Sequence, residues 1–173
     1  MQHAGWRSRG YLPHCDGAHL IQHIVLKTAL PPDDIHFHPH LLRDDVTAHV
    51  VEQALLHFDS ERYRLLAWCV MPNHVHIVVQ QMEGWPLAQI VHSWKSFTAN
   101  RINVALERTG PVWMREYFDR YMRDDDHLMT TTFYVENNPV DSGLVERAEL
   151  WPWSSARYRT SMLEIDAPHK PDA

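Results

Sequence analysis

Two apolar runs, Arg62 to Met71 and His74 to Gln81, are separated only by Pro72-Asn73. Proline presets the backbone for a turn and asparagine tolerates the conformations a turn demands, so the pair reads as two adjacent antiparallel strands. Trp68-Cys69-Val70-Met71 and Ile77-Val78-Val79 are apolar without alternation, as in central strands buried on both faces. His74-Val75-His76 interrupts the second run. Side chains on a strand alternate with a period of two, so both imidazoles project from one face. Two imidazoles on one face form a half-site for a divalent cation. The chain holds 14 His, and such a pair also arises by chance. The other reading is two histidines hydrogen-bonded at a sheet surface.

The remaining pattern surrounds that hairpin. Leu20 to Leu26 reads as a first strand, ended by Pro31-Pro32, and a loop follows from Asp33 to Leu42. Asp44-Asp45 opens a helix whose apolar positions, Val46, Val50, Ala54, Leu55 and Phe58, recur at helical spacing. Pro86 opens a second helix, with Leu87, Ile90, Val91, Trp94, Phe97, Ile102 and Ala105 as its buried face. Glu116 to Met122 reads as a short strand. Asp124-Asp125-Asp126 caps a third helix expected to run to about Asn137 and to stop at Pro139. The order β-α-β-β-α-β-α predicts an α+β fold of the ferredoxin-like split βαβ kind. Its antiparallel sheet carries helices on one face, and the additional C-terminal helix follows. The expected domain is 9–158, with a disordered tail over 159–173.

Composition narrows the class. A chain of 173 residues with 45% hydrophobic content supports one compact domain with a real core. No apolar run approaches the roughly 20 residues needed to cross a bilayer, and Met1 to Arg9 lacks the apolar centre of a signal peptide. Cys15 and Cys69 read as free thiols, so the expected location is the cytoplasm, without membrane partners. The formal net charge of -6 argues against a nucleic-acid partner unless a basic stripe is hidden within it.

The third helix offers a nucleophile. Tyr134 and Asn138 lie four residues apart and share a face if the helix persists past Pro139. Two imidazoles and an amide oxygen would leave open positions on a cation, which suits an ion that must also grip a phosphate. A phenol attacks phosphorus only as phenolate, which needs help at neutral pH because the reference pKa is about 10. The ordinary alternative is that Tyr134 is packing on an amphipathic helix.

Five segments together resemble the REP-associated tyrosine transposases, a branch of the single-tyrosine HUH, or IS200-like, transposases. They are Arg9-Gly10-Tyr11-Leu12-Pro13-His14, Met71-Pro72-Asn73-His74-Val75-His76 and Trp113-Met114-Arg115-Glu116-Tyr117-Phe118-Asp119-Arg120. Tyr134-Val135-Glu136-Asn137-Asn138-Pro139-Val140 and Trp151-Pro152-Trp153-Ser154-Ser155 complete the set. The resemblance implies that His74, His76 and Asn138 hold Mg²⁺ or Mn²⁺. It implies that Tyr134 cleaves single-stranded DNA beside hairpins of short palindromic repeats, through a 5′-phosphotyrosine intermediate, and that the strand is then transferred. It allows a monomer or a homodimer. Met129-Thr130-Thr131-Thr132 departs from the family's usual helix formers before the tyrosine, and threonine lowers helix propensity modestly.

Lys95, Arg115, Arg120 and Arg123 are the candidate DNA contacts, because the three arginines border the catalytic helix. Arg7 and Arg9 beside Trp6 and Tyr11, and Arg157 and Arg159 beside Tyr158, repeat the basic and aromatic mixture that suits unpaired bases. His36-Phe37-His38-Pro39-His40 reads as an exposed loop. Two rival functions remain: a DNA-hairpin-binding module that has lost cleavage, and a small metal-dependent protein unrelated to DNA.

Overall fold

The computed structural model describes residues 5–8, 13–16, 19–29 and 40–159, the first two stretches as backbone only. The elements are β1 (Gly5–Ser8), β2 (Pro13–Asp16), β3 (Ile21–Lys27), α1 (Asp45–Leu56), β4 (Tyr63–Met71), β5 (His74–Gln81), α2 (Leu87–Ala105), β6 (Phe118–Tyr121) and α3 (Asp125–Asp141). β1 and β2 form their own antiparallel hairpin, which the sequence pattern did not announce. The other four strands form one antiparallel sheet in the order β4-β5-β3-β6, the α+β arrangement expected.

β5 is central, and its alternation sorts the two faces. Val75, Ile77 and Val79 join Ile24 and Leu26 of β3 under α1 and α2, where Ala48, Val51, Leu55, Ile90, Val91, Trp94 and Ile102 complete the main core. Tyr63 locks that layer. Its hydroxyl donates to the Leu55 carbonyl at 2.8 Å and accepts from Trp94 Nε1 at 2.9 Å. β4 shifts register between Leu65 and Ala67. A bulge of this kind reverses which residues face which side. Leu65 therefore packs with the main core, while Ala67, Cys69 and Met71 join Val78 in a second cluster under Val135 of α3. α3 thus covers the opposite face from α1 and α2. With both faces covered beyond the bulge, β4 reads as apolar without alternation from Ala67 to Met71.

Helix starts follow the capping chemistry. Asp44 accepts from the Val46 amide at 2.9 Å, and Asp124 accepts from the His127 amide at 2.7 Å. Expectations for the end of α3 and for the buried face of α2 are corrected. α3 does not stop before Pro139 but passes through it to Asp141. Proline in the last turn removes one donor, and the helix end is closed around it by Ser142 to Asn138 at 3.0 Å and Leu144 to Pro139 at 2.9 Å. The threonine run is fully helical, with Thr131 buried. On α2, Phe97 is 51% exposed and Ala105 is exposed; Thr98 is buried in their place, accepting from Trp113 Nε1 at 2.8 Å.

The segment 151–159 straps the free edge of β4. Val70 donates to the Trp153 carbonyl at 2.8 Å, Ser155 donates to the Trp68 carbonyl at 3.0 Å, and Trp151 Nε1 donates to the Val70 carbonyl at 2.9 Å. These bonds cover the polar edge that an outer strand would leave open. The strap also supplies cations to two buried carboxylates on opposite faces. Arg157 Nη2 lies 2.9 Å from Glu52 Oε2, and Trp68 Nε1 donates to Glu52 Oε1 at 3.1 Å. Arg159 Nε lies 2.6 Å from Glu136 Oε2, and Ser155 Oγ donates to Glu136 Oε1 at 2.7 Å. The histidine-rich 36–39 stretch and the tail from 160 lie outside the described residues.

Arg157→Ala leaves the Glu52 carboxylate buried without its cation. The Arg157 side chain is 30% exposed, so the cost falls short of that for a wholly buried pair. The expected loss is about 1–3 kcal/mol, read as a lower midpoint in urea denaturation with an unchanged slope. An unchanged midpoint would remove the strap from the account of stability.

Candidate functional site on the α3 face of the sheet

The face that carries Val78 also carries His74 and His76, because all three share the even positions of β5. His76 is 5% exposed and His74 is half-buried. Their Nε2 atoms stand 3.0 Å apart. Adjacent vertices of an octahedron with bonds of about 2.1 Å lie about 3.0 Å apart, against about 3.4 Å for a tetrahedron. The spacing therefore fits two neighbouring positions of a six-coordinate ion. Asn138 reaches the same point from α3, with Nδ2 3.4 Å from His76 Nε2. Turning the amide over brings Oδ1 there instead. Among the described residues no three His, Cys, Asp or Glu side chains are grouped so as to hold a metal ion, and the Asn138 amide is the third group that reaches the His76 Nε2 atom. The donor set fits a divalent cation with several positions left open.

Each imidazole is held by its remote nitrogen. Asn73 Oδ1 accepts from His74 Nδ1 at 2.7 Å, which leaves the His74 Nε2 lone pair free. His76 Nδ1 lies 2.9 Å from His23 Nε2. His23 comes from β3, where it pairs with Val78 and so sits diagonally from His76. Burial pushes His76 down to about 3, with the charges of His74, His23 and Lys27 adding to the effect. Burial, then Arg120 and His127, push His23 down to about 4. Burial, then Lys27, also lowers His74. All three rings are neutral near pH 7, the form in which imidazole ligates.

Tyr134 and Asn138, one turn apart, both face this site. The Tyr134 ring stands edge-on to His76 with centroids 5.5 Å apart, and edge-on to His23 at 6.2 Å. It is 47% exposed, so the ring is bounded on one side by the histidines and open on the other. α3 packs over β4 and β5. The β3–β6 half of the face carries Phe118, 45% exposed, and Arg120, exposed and paired with His23 across the strands.

The proposed cations are distributed unequally. Arg120 is exposed and paired with His23, while Arg123 is exposed beyond β6, at the end of β3 away from His74 and His76. Arg115 is 91% exposed, with Nε 4.0 Å from Glu116. Lys95 Nζ instead donates to the Met114 and Arg115 carbonyls at 2.7 and 2.8 Å, tying α2 to the 113–117 loop. Its pKa is lowered by burial, against the opposing pull of Glu116. Arg157 and Arg159 are spent on buried carboxylates. Sequence reasoning passed over Lys27 and His23. Lys27 is exposed and pairs with His74 at the end of β3. The alternation of His23, Val25 and Lys27 on one strand face was the available signal.

The family described as "Transposase IS200 like" matches residues 23–138, which run from His23 to Asn138. A protein of Haemophilus influenzae named "Putative REP-associated tyrosine transposase" is 27% identical over 106 residues, 54% of this chain. The match spans 58% of that relative's length. A solved structure of a REP-associated tyrosine transposase bound to a REP hairpin shares the fold with a TM-score of 0.67 at 17% identity. It covers 90% of this chain and 85% of that one. The match covers most of the chain and both ends of the site, and the chain belongs to the IS200-like transposase family.

Proposed function

We propose that the chain cuts and rejoins single-stranded DNA beside hairpin-forming repeats, with Tyr134 as the nucleophile and His74, His76 and Asn138 as the holders of Mg²⁺ or Mn²⁺. The observation that carries this reading is the Tyr134 ring standing against His76 while Asn138, one turn on, reaches the same imidazole. The relative of solved structure bound to a REP hairpin supports the substrate class. Of the two ions, Mn²⁺ accepts nitrogen donors more readily than Mg²⁺, which prefers oxygen. The bound ion supplies a positive charge that polarises the scissile phosphate and lowers the cost of charge developing on its oxygens.

The residues do the rest. Tyr134 gives up its phenolic proton and its oxygen attacks phosphorus. The bond from phosphorus to the 3′ oxygen breaks, and that oxygen takes a proton and leaves as a free 3′-hydroxyl. The 5′-phosphate stays esterified to Tyr134, which conserves the bond for rejoining to another 3′-hydroxyl. Phe118 offers an exposed ring for an unpaired base, and Lys27, Arg115, Arg120 and Arg123 offer cations to the backbone. Tyr134 stands on the histidines of its own chain, which supports cleavage within one subunit. Glu52 and Glu136 are buried and paired with Arg157 and Arg159, so these charges cancel and do not face DNA.

The direct test incubates the protein with Mn²⁺ and a hairpin oligonucleotide from the repeats flanking its gene. A covalent protein–DNA adduct is expected, abolished by chelator and absent in Tyr134→Phe, while hairpin binding by that variant persists. Salt-sensitive binding without an adduct in the wild type would instead favour a binding module. His76→Ala is expected to weaken Mn²⁺ binding by more than about 100-fold, since even outer partners of metal ligands are worth about 10–100-fold. Titration of Mn²⁺ against the free protein by electron paramagnetic resonance reads this directly, and wild-type affinity in the variant would move the ion elsewhere.

A further inference from the structure

We propose that His23 is a positioning residue that accepts the Nδ1 proton of His76 and thereby presents His76 Nε2 to the cation. The inference rests on the reading that His74 and His76 hold an ion, and it concerns a residue outside that ligand set.

The geometry supports one direction for the hydrogen bond. His23 Nε2 and His76 Nδ1 are 2.9 Å apart, and the two rings are tilted by only 22° with centroids 5.1 Å apart. That separation fits an end-on hydrogen bond between nearly coplanar rings rather than a face-to-face stack. His23 is 8% exposed and His76 5% exposed, so water has little room to replace the bond. The Phe118 and Tyr134 rings flank the His23 ring in T-shaped arrangements, with centroids 6.3 and 6.2 Å away. Its Nε2 is already committed to His76, so His23 does not itself face the ion.

The tautomer follows from the neighbours. With the proton on Nδ1, His76 keeps a lone pair on Nε2, next to the lone pair that Asn73 leaves on His74 Nε2. In the reverse relay His23 donates, and the His76 proton moves to Nε2. It would then fill the 3.0 Å gap between the two ligating nitrogens. Each proposed ligand thus has one dedicated acceptor behind it, Asn73 Oδ1 for His74 and His23 Nε2 for His76. Such partners orient a ligand and raise its basicity.

The test compares wild type, His23→Leu and His23→Gln in the absence of DNA. Glutamine can place Oε1 near the position of His23 Nε2 and accept the same proton, whereas leucine fills the space and accepts nothing. Mn²⁺ affinity is expected to fall about 10–100-fold in His23→Leu and to recover in His23→Gln. Nitrogen-15 spectra of the wild type saturated with diamagnetic Mg²⁺ are expected to show a His76 Nδ1 proton hydrogen-bonded to His23, and the leucine variant is expected to lose that bond. Equal Mn²⁺ affinity in all three proteins would overturn the role of His23 while leaving the ion site standing. A Mg²⁺-bound wild type whose His76 Nδ1 proton makes no hydrogen bond to His23 would overturn it even if the leucine variant fails to fold. A wild type that takes up no Mn²⁺ would overturn the ion site and this inference with it.

Discussion

The register of β5 between β4 and β3 is the constraint on which the rest depends. His76 pairs with Cys69 on one side and Val25 on the other, and His74 pairs with Met71 and Lys27. A slip of one residue would turn both histidines into the core beneath α1 and α2 and turn Val75 and Ile77 outward. The hydrophobic layer forbids this, because Val75, Ile77 and Val79 are wholly buried. The same burial that stabilises the sheet therefore aims two imidazoles at α3. The site is precise because it is built on a packed central strand and one helix rather than on loops.

Much of this arrangement was legible in the sequence because it depends on local chemistry. Pro72-Asn73 marked the turn, and β5 spans His74–Gln81 as read. Asp44 and Asp124 marked helix starts because a carboxylate at that place satisfies a free amide. Other features depend on distant partners and left no local trace. The bulge between Leu65 and Ala67 is a property of pairing with β5. Pro139 pointed to a helix end, yet packing of Val135 on the second cluster and the bonds at 142–144 carry α3 past it. That continuation is what brings Asn138 to His76. His23 was passed over for a similar reason. A lone histidine in an apolar strand is usually a satisfied core residue, and its partner lies 53 positions away.

Charge is where composition misleads most. The net value of -6 counts every carboxylate alike. Glu52 and Glu136 are buried and paired with Arg157 and Arg159, so these four charges shape the C-terminal strap rather than the field seen by a ligand. Arg120 and Lys27 remain exposed, paired with His23 and His74 across the strands. A modest cationic face can therefore exist on an acidic chain, and its strength is local.

The most direct measurement is an anomalous diffraction map of crystals grown with Mn²⁺. The account predicts one strong peak bridging His74 Nε2 and His76 Nε2 at about 2.1–2.2 Å from each, with the Asn138 oxygen turned toward it and the Tyr134 ring alongside. A map with no peak there, and His76 Nε2 hydrogen-bonded to His74 in the ion's place, would contradict the cation site and the cleavage chemistry built on it.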